Sequence, residues 1–184
     1  GMAPTNDAIL VWDSTVLRRY DVSTATETTT TLSFAAAGGH LNWGCLDEDG
    51  GMIWVENGAT TTGLNRADDL QGKNSTLIWS NSVNTATANA CCWDGSTGGY
   101  VVGQTTGTGN LSFVARDGTT TRTVTTGAGT VSGLDWSPWT SDIIVSYFGG
   151  LLRVNALGTV TTVATGNAVI SSANGVEVLD QNSL

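Results

Sequence analysis

Short apolar runs punctuate this chain at near-regular intervals: ILVWD from Ile9, MIWVE from Met52, YVVGQ from Tyr100 and IIVSY from Ile143. Their β-branched and aromatic content, their brevity and the Gly, Asn and Asp residues that bound them predict strands. Each is followed by a Leu-anchored segment, LRRYD at 17–21, LNRAD at 64–68, LSFVA at 111–115 and LLRVN at 151–155. Leu17, Leu64 and Leu111 stand 47 residues apart, and Leu151 follows after 40. Downstream lie Thr-rich stretches, TTTTLSF at 28–34, STLIWS at 75–80, TTRTVTT at 120–126 and TVTTVAT at 159–165, as suits strands with a solvated outer edge. Three units are preceded by a further strand, in HLNWGCL, ANACCWD and SGLDWSP. No sustained helical periodicity competes with this pattern.

Three of the six arginines share a Leu-x-Arg-x-Asp/Asn frame. Alternate residues of a strand share a face, so Leu17, Arg19 and Asp21 point the same way. The Leu can pack on a neighbouring sheet while the Arg stem covers apolar surface and its guanidinium reaches the acid at i+2. The Asp or Asn then suits the turn into the next strand. Arg19, Arg66 and Arg153 are therefore expected to act in the scaffold rather than to converge on a ligand.

A four-strand unit recurring every 40 to 47 residues, with turns such as DEDGG, DGSTGG and ARDG, resembles the blades of the β-propeller superfamily, particularly the NHL, SMP-30-like and Kelch-like groups. The stretch LRRYDVSTATETTTTLS is the closest match of pattern. The resemblance implies an all-β fold, a small propeller of four four-stranded antiparallel blades closed by strands from both termini, with five blades as the alternative. It forms one domain, 1–184, with units near 5–39, 40–88, 89–132 and 133–166 and closing strands in 167–184. The first unit starts at its second strand, and AVISS at 168–172 is the natural candidate for the missing one. The remaining VEVLD at 176–180 is a tail strand, part of a fifth blade, or a strand that pairs with a second copy. The metal-liganding Glu, Asn and Asp set of lactonase-type propellers is not recognisable, nor are the paired glycines of Kelch repeats.

Composition narrows the function classes. A net charge of −9 with a single lysine, Lys73, opposes nucleic acid and anionic membrane as partners, because phosphate binding needs clustered cations. No apolar run reaches the roughly 18 residues of a membrane-spanning helix, and the N-terminus lacks the basic and apolar regions of a signal peptide. A cytoplasmic or virion-associated location is the expectation. Cys45, Cys91 and Cys92 form neither a disulfide framework nor a paired zinc spacing and read as small buried thiols.

The residues that could carry chemistry gather around the inner strands. His40 is the only histidine, so no His-rich metal site can form, and no nucleophile motif accompanies it. Asp47 opens an acidic turn that lacks the spacing of an EF-hand loop. Trp93 and Trp136 occupy equivalent places before their turns, with Cys45 assigned to that slot in the second unit and Trp43 and Trp139 nearby. Beside Asp94 and Asp135 these indoles could stack on sugar faces while carboxylates accept hydroxyl protons; inter-blade packing is the competing reading. The candidate set is His40, Trp43, Asp47, Trp93, Asp94, Asp135, Trp136 and Trp139, with no catalytic or metal-binding residue and no cofactor. It fits a non-catalytic binding or assembly module that meets a protein partner or another copy of itself. The low-charge, Thr/Gly/Ala-rich composition resembles structural proteins of tailed bacteriophages. The alternatives are a lectin-like carbohydrate binder and, more distantly, a metal-dependent lactonase or hydrolase.

Overall fold

The computed structural model describes residues 8–13, 15–31, 40–68, 75–82, 87–105, 108–165, 175–176 and 178. Its fifteen strands form four antiparallel sheets, and the described residues contain no helix. The first sheet has three strands, β1 (Ala8–Asp13), β2 (Val16–Asp21) and β3 (Thr26–Thr31). The second comprises β4 (His40–Leu46), β5 (Met52–Asn57), β6 (Thr61–Ala67) and β7 (Thr76–Ser82). The third comprises β8 (Ala88–Asp94), β9 (Gly99–Gln104), β10 (Asn110–Val114) and β11 (Thr120–Thr125). The fourth comprises β12 (Val131–Ser137), β13 (Asp142–Tyr147), β14 (Gly150–Val154) and β15 (Val160–Thr165). Within each sheet, strands consecutive in the chain are neighbours.

The second, third and fourth sheets stack face to face, which explains why their second strands β5, β9 and β13 are apolar almost throughout. Every residue of β5 and of β9 is buried. One face of β9 and β10, with Tyr100, Val102 and Val114, packs with Cys91 against Ile53, Val55 and Leu64 of the second sheet. The other face, with Val101, Leu111 and Phe113, packs with Cys92 against Val131, Leu134, Val145 and Leu152 of the fourth. A strand covered on both sides reads as a continuous apolar run rather than an alternating one. The outer strands β7, β11 and β15 are mainly exposed, as their threonines predict.

The inner edge of the stack is made by β4, β8 and β12, with β8 packed between the other two. Each carries a β-bulge near its start, and the extra residue is Asn42, Asn89 or Ser132. A bulge frees one residue from the ladder and re-aims its side chain. Asn42 Nδ2 donates to Asn89 Oδ1 at 2.8 Å and to the Ala88 carbonyl at 3.3 Å. Asn89 Nδ2 donates in turn to the Val131 carbonyl at 2.8 Å. These amides tie each inner strand to the next.

The Leu-x-Arg frame has a consistent direction. Leu64 and Leu111 each face the following sheet. The i+2 pairing holds in the second sheet, where Arg66 meets Asp68. It fails in the first, where Asp21 accepts instead from Ser23 Oγ at 2.7 Å and Thr24 N at 3.0 Å to close a turn. There the ion pair is Arg18–Glu27, 2.7 Å, on the opposite face. Asn155 behaves like Asp21, its side chain accepting from the Leu157 and Thr159 amides. Where the third unit has Phe113 in place of Arg, Arg122 from β11 lays its guanidinium 3.8 Å over that ring and donates to the Ala156 carbonyl of the next sheet.

AVISS lies outside the described residues. Of the VEVLD segment, Val176 and Val178 are described: the Val178 amide donates to Asp135 Oδ2 at 2.5 Å, and Val176 N lies against Gly133 of β12.

Candidate functional site

Successive strands in each sheet run antiparallel, and β4, β8 and β12 run alike along the inner edge. The β4–β5, β8–β9 and β12–β13 turns therefore share one rim with the β6–β7, β10–β11 and β14–β15 turns. Asp47, Trp93, Asp94, Trp136 and Trp139 lie on this rim. His40 begins β4 at the other end, and Trp43 and Asp135 lie within their strands.

Between the second and third sheets the rim is a charged cluster. Asp47 is buried; its Oδ2 accepts from Arg66 Nε at 2.6 Å and from the Tyr100 hydroxyl at 3.4 Å, and its Oδ1 from the Glu48 amide at 2.9 Å. Arg66 also pairs with Asp49 at 3.3 Å. Arg116, from the β10–β11 turn, crosses from the third sheet to pair with Glu48 and with Asp49 at 3.0 Å, while its Nε donates to the Gly98 carbonyl at 2.8 Å. Burial, followed by the Asp47 charge, pushes the Tyr100 hydroxyl up to about 12. The hydrogen bond to Asp47 raises the Arg66 guanidinium further above its usual range. A cleft of about 210 Å³ opens here, lined by Arg66, Asp68, Thr76, Ile78, Tyr100 and Arg116. Arg116 stands outside the Leu-x-Arg frame, and only its place in an ARDG turn hinted at a rim position.

Asp94 is equally committed to structure. It accepts from the Ser96 amide at 3.0 Å and the Thr97 hydroxyl at 2.8 Å, which fixes the β8–β9 turn. Trp93 and Trp136 meet edge to face, ring centroids 4.9 Å apart at 71°, within the favourable range for aromatic pairs. The Trp136 indole lies flat over Gly95, where any Cβ would collide with the ring. These two indoles therefore serve inter-sheet packing. The strand registers put Leu46 in their slot, since Leu46↔Met52 corresponds to Trp93↔Tyr100 and Trp136↔Ile143. Cys45 sits one place earlier, with Cys92 and Asp135. Trp139 is exposed, at 43%.

Trp43 points to the inner edge, against both core clusters, with its Nε1 buried and without a partner. Cys91 and Cys92 are buried, and burial raises both thiols well above the usual range. Of His40 the structure describes the backbone alone, paired with Asn57. Among the described residues no group of three His, Cys, Asp or Glu side chains is placed to hold a metal ion.

No protein-family profile matches this chain, and no curated protein matches it in sequence. Solved structures do. The nidogen chain of a nidogen/laminin complex superposes with a TM-score of 0.69 at 14% identity, over 87% of this chain and 62% of that one. The fold is a β-propeller. Further similar propellers are Mala s 1, the major allergen of Malassezia sympodialis, with a TM-score of 0.57 at 14% identity over 82% and 57% of the two chains. The extracellular domain of the putative hybrid two-component system BT4673 from B. thetaiotaomicron gives 0.60 at 14% identity over 91% and 22%. This chain thus spans less than two thirds of the length of each of these matched chains.

Proposed function

We propose that this propeller is a non-catalytic binding or assembly module whose partner meets the rim of β4–β5, β8–β9 and β12–β13 turns. The observation that carries this reading is the division of labour on that rim. Asp47 and Asp94 are buried and occupied by Arg66 and by turn backbone, while Asp117 and Trp139 face solvent, as do Asp49 and Asp68 around their ion pairs with Arg66 and Arg116. Rigid strands hold turns from several sheets side by side, the usual way a scaffold presents a contact surface. That the similar nidogen chain was solved with laminin supports a protein partner. The low-charge composition supports an assembly role, such as a component of a phage tail or virion.

A carbohydrate is the second reading, favoured by one observation, the exposed Trp139 indole on an acid-bearing rim. Light scattering of the full chain and a glycan array, run with wild type and Trp139→Ser, separate the two. Self-association weakened by the substitution, with no glycan signal, supports assembly. Specific glycan binding lost in the variant supports the lectin-like reading instead. Turnover of a lactone or phosphoester that disappears with chelator overturns the non-catalytic assignment.

A further inference from the structure

The three thiols of the chain converge on one point of the inner edge. Cys45 lies on β4, Cys91 and Cys92 lie on β8, and these two strands pack side by side. Successive residues of a strand point to opposite faces, so Cys91 enters the core shared with the second sheet and Cys92 the core shared with the fourth. Cys45 packs against both cores. The Cys91 sulfur lies 3.9 Å from the carbonyl of Trp43, two residues before Cys45 on the same strand. It also lies beside the Cys45 thiol, its side-chain hydrogen-bond neighbour, whereas Cys92 senses Cys45 through charge alone. Exposure separates the three further. Cys91 and Cys92 are buried, and Cys45 is half-buried. One thiol is thus open to a small solute and has a buried partner next to it.

We infer that Cys45 and Cys91 are a hydroperoxide-oxidised pair, in which Cys45 reacts first and Cys91 then closes a disulfide between β4 and β8. The Cys45 thiolate attacks one oxygen of the hydroperoxide. An S–O bond forms as the O–O bond breaks, leaving a sulfenic acid, and the departing alkoxide or hydroxide takes up a proton. The Cys91 sulfur then attacks the Cys45 sulfur, the S–O bond breaks, and the hydroxyl leaves with the Cys91 proton as water. Two thiols and one hydroperoxide thus become one disulfide, one water and one alcohol, or two waters when the oxidant is hydrogen peroxide. Access and ionisation set the order. Burial, and then the hydrogen bond with Cys45, push the Cys91 thiol well above its usual range, so it stays protonated and meets only an electrophile already in contact with it. Cys91 and Cys92 point to opposite faces of β8, which a bridge between them could not span without disrupting the strand. The Cys45–Cys91 bridge ties the second sheet covalently to the third, on the same two strands that Asn42 and Asn89 already join.

Hydrogen peroxide added to the reduced, folded full chain tests the pair, with peptide mass mapping in the absence of reductant and dimedone present to trap sulfenic acid. Wild type should lose two hydrogens through a Cys45–Cys91 link within one chain. Because the linked residues stand 46 positions apart, the closed loop should raise Tm by roughly 5–10 °C until dithiothreitol reverses it. Cys91→Ala should stop at the Cys45 sulfenic acid and accumulate the dimedone adduct. Cys92→Ala should bridge as wild type does, and Cys45→Ala should leave Cys91 reduced under the same exposure. The wild-type map decides even where a variant fails to fold. A Cys45–Cys92 link, links between chains, wild-type thiols that stay reduced, or a bridge that forms only after unfolding in urea would each overturn the assignment. So would a Cys45 adduct that accumulates in wild type as fast as in Cys91→Ala.

Discussion

Replacing Arg66 by Met keeps most of the stem and removes the guanidinium, which isolates the energetic role of the Leu-x-Arg frame. Three carboxylates lose a partner. Asp49 and Asp68 are exposed, so each contributes at most about 0.2–1 kcal/mol. Asp47 is different, because its side chain is fully buried beside Arg66 Nε at 2.6 Å. Stripping one member from a buried pair costs about 3–5 kcal/mol when nothing replaces it. Here the Glu48 amide and Tyr100 hydroxyl remain, and Arg116 Nη2 lies 3.9 Å from Asp47, so about 2–3 kcal/mol is expected. Arg153→Met is the comparison: that side chain is 46% exposed and its pair with Asp142 is longer, 3.3 Å, but Asp142 is itself buried at 8% exposure, so an intermediate loss of about 1–2 kcal/mol is expected. Urea melts read both through the midpoint at unchanged m-value. For a chain of this size the difference corresponds to roughly 4–12 °C in Tm for Arg66→Met. The double variant Asp47→Ala/Arg66→Met should lose less than the sum of the singles. Equal costs at Arg66 and Arg153, or additivity in the double variant, would refute the buried-pair account.

Gly118 holds φ near +88° with Ile78's carbonyl oxygen where a Cβ would lie, so Gly118→Ala should cost at least about 2 kcal/mol and loosen the contact between the third sheet and β7, read by melting and by hydrogen exchange at β7. Tyr100 should stay neutral until unusually high pH. Its folded pKa is raised, so its contribution to stability is complete below about pH 10 and is lost as pH rises through about 12; urea midpoints from pH 8 to 12 should fall in that window, and less so in Tyr100→Phe. Trp136→Ala should lower stability by about 2–4 kcal/mol, because the indole packs on Gly95 and Trp93, and a loss below 1 kcal/mol in a urea melt would contradict that packing role.

The strands were legible because their signals are local. HLNWGCL and ANACCWD coincide with β4 and β8, each an apolar run bounded by turn residues. The outer strand of the first sheet was less so: the run of threonines suggested a start at Thr28, whereas β3 begins at Thr26, since a uniform hydroxyl tract carries no alternation to set its start; positions 32–34 of that run lie outside the described residues. Cys45 stands seven residues before the second strand's first residue, Met52, as Trp93 stands seven before Tyr100, which suggests the same slot. The β4–β5 turn is one residue shorter than its counterparts, so the count slips and Leu46 takes the place. Of the candidate site, the rim position of Asp47, Trp93, Asp94, Trp136 and Trp139 follows from the repeat. Their division into packing and exposure does not, because it depends on contacts between sheets about 47 residues apart in sequence. The Asn42 and Asn89 ties needed the bulge, which no composition signal announces, although an Asn at the same place of two units was a clue.

The outer strands also set how this protein behaves in crowded solution. The β6–β7, β10–β11 and β14–β15 pairings each contain a register shift, which bends the exposed strand away from the flat geometry that another chain could extend. The β2–β3 pairing has none, so Thr26–Thr31 is a straight edge. In a chain with one lysine, the charge guarding that edge is Glu27, whose carboxyl Arg18 holds below its ordinary range. Resistance to edge-to-edge association thus rests on shape in the second, third and fourth sheets and, at the straight edge of the first, on the charges of the Glu27–Arg18 pair.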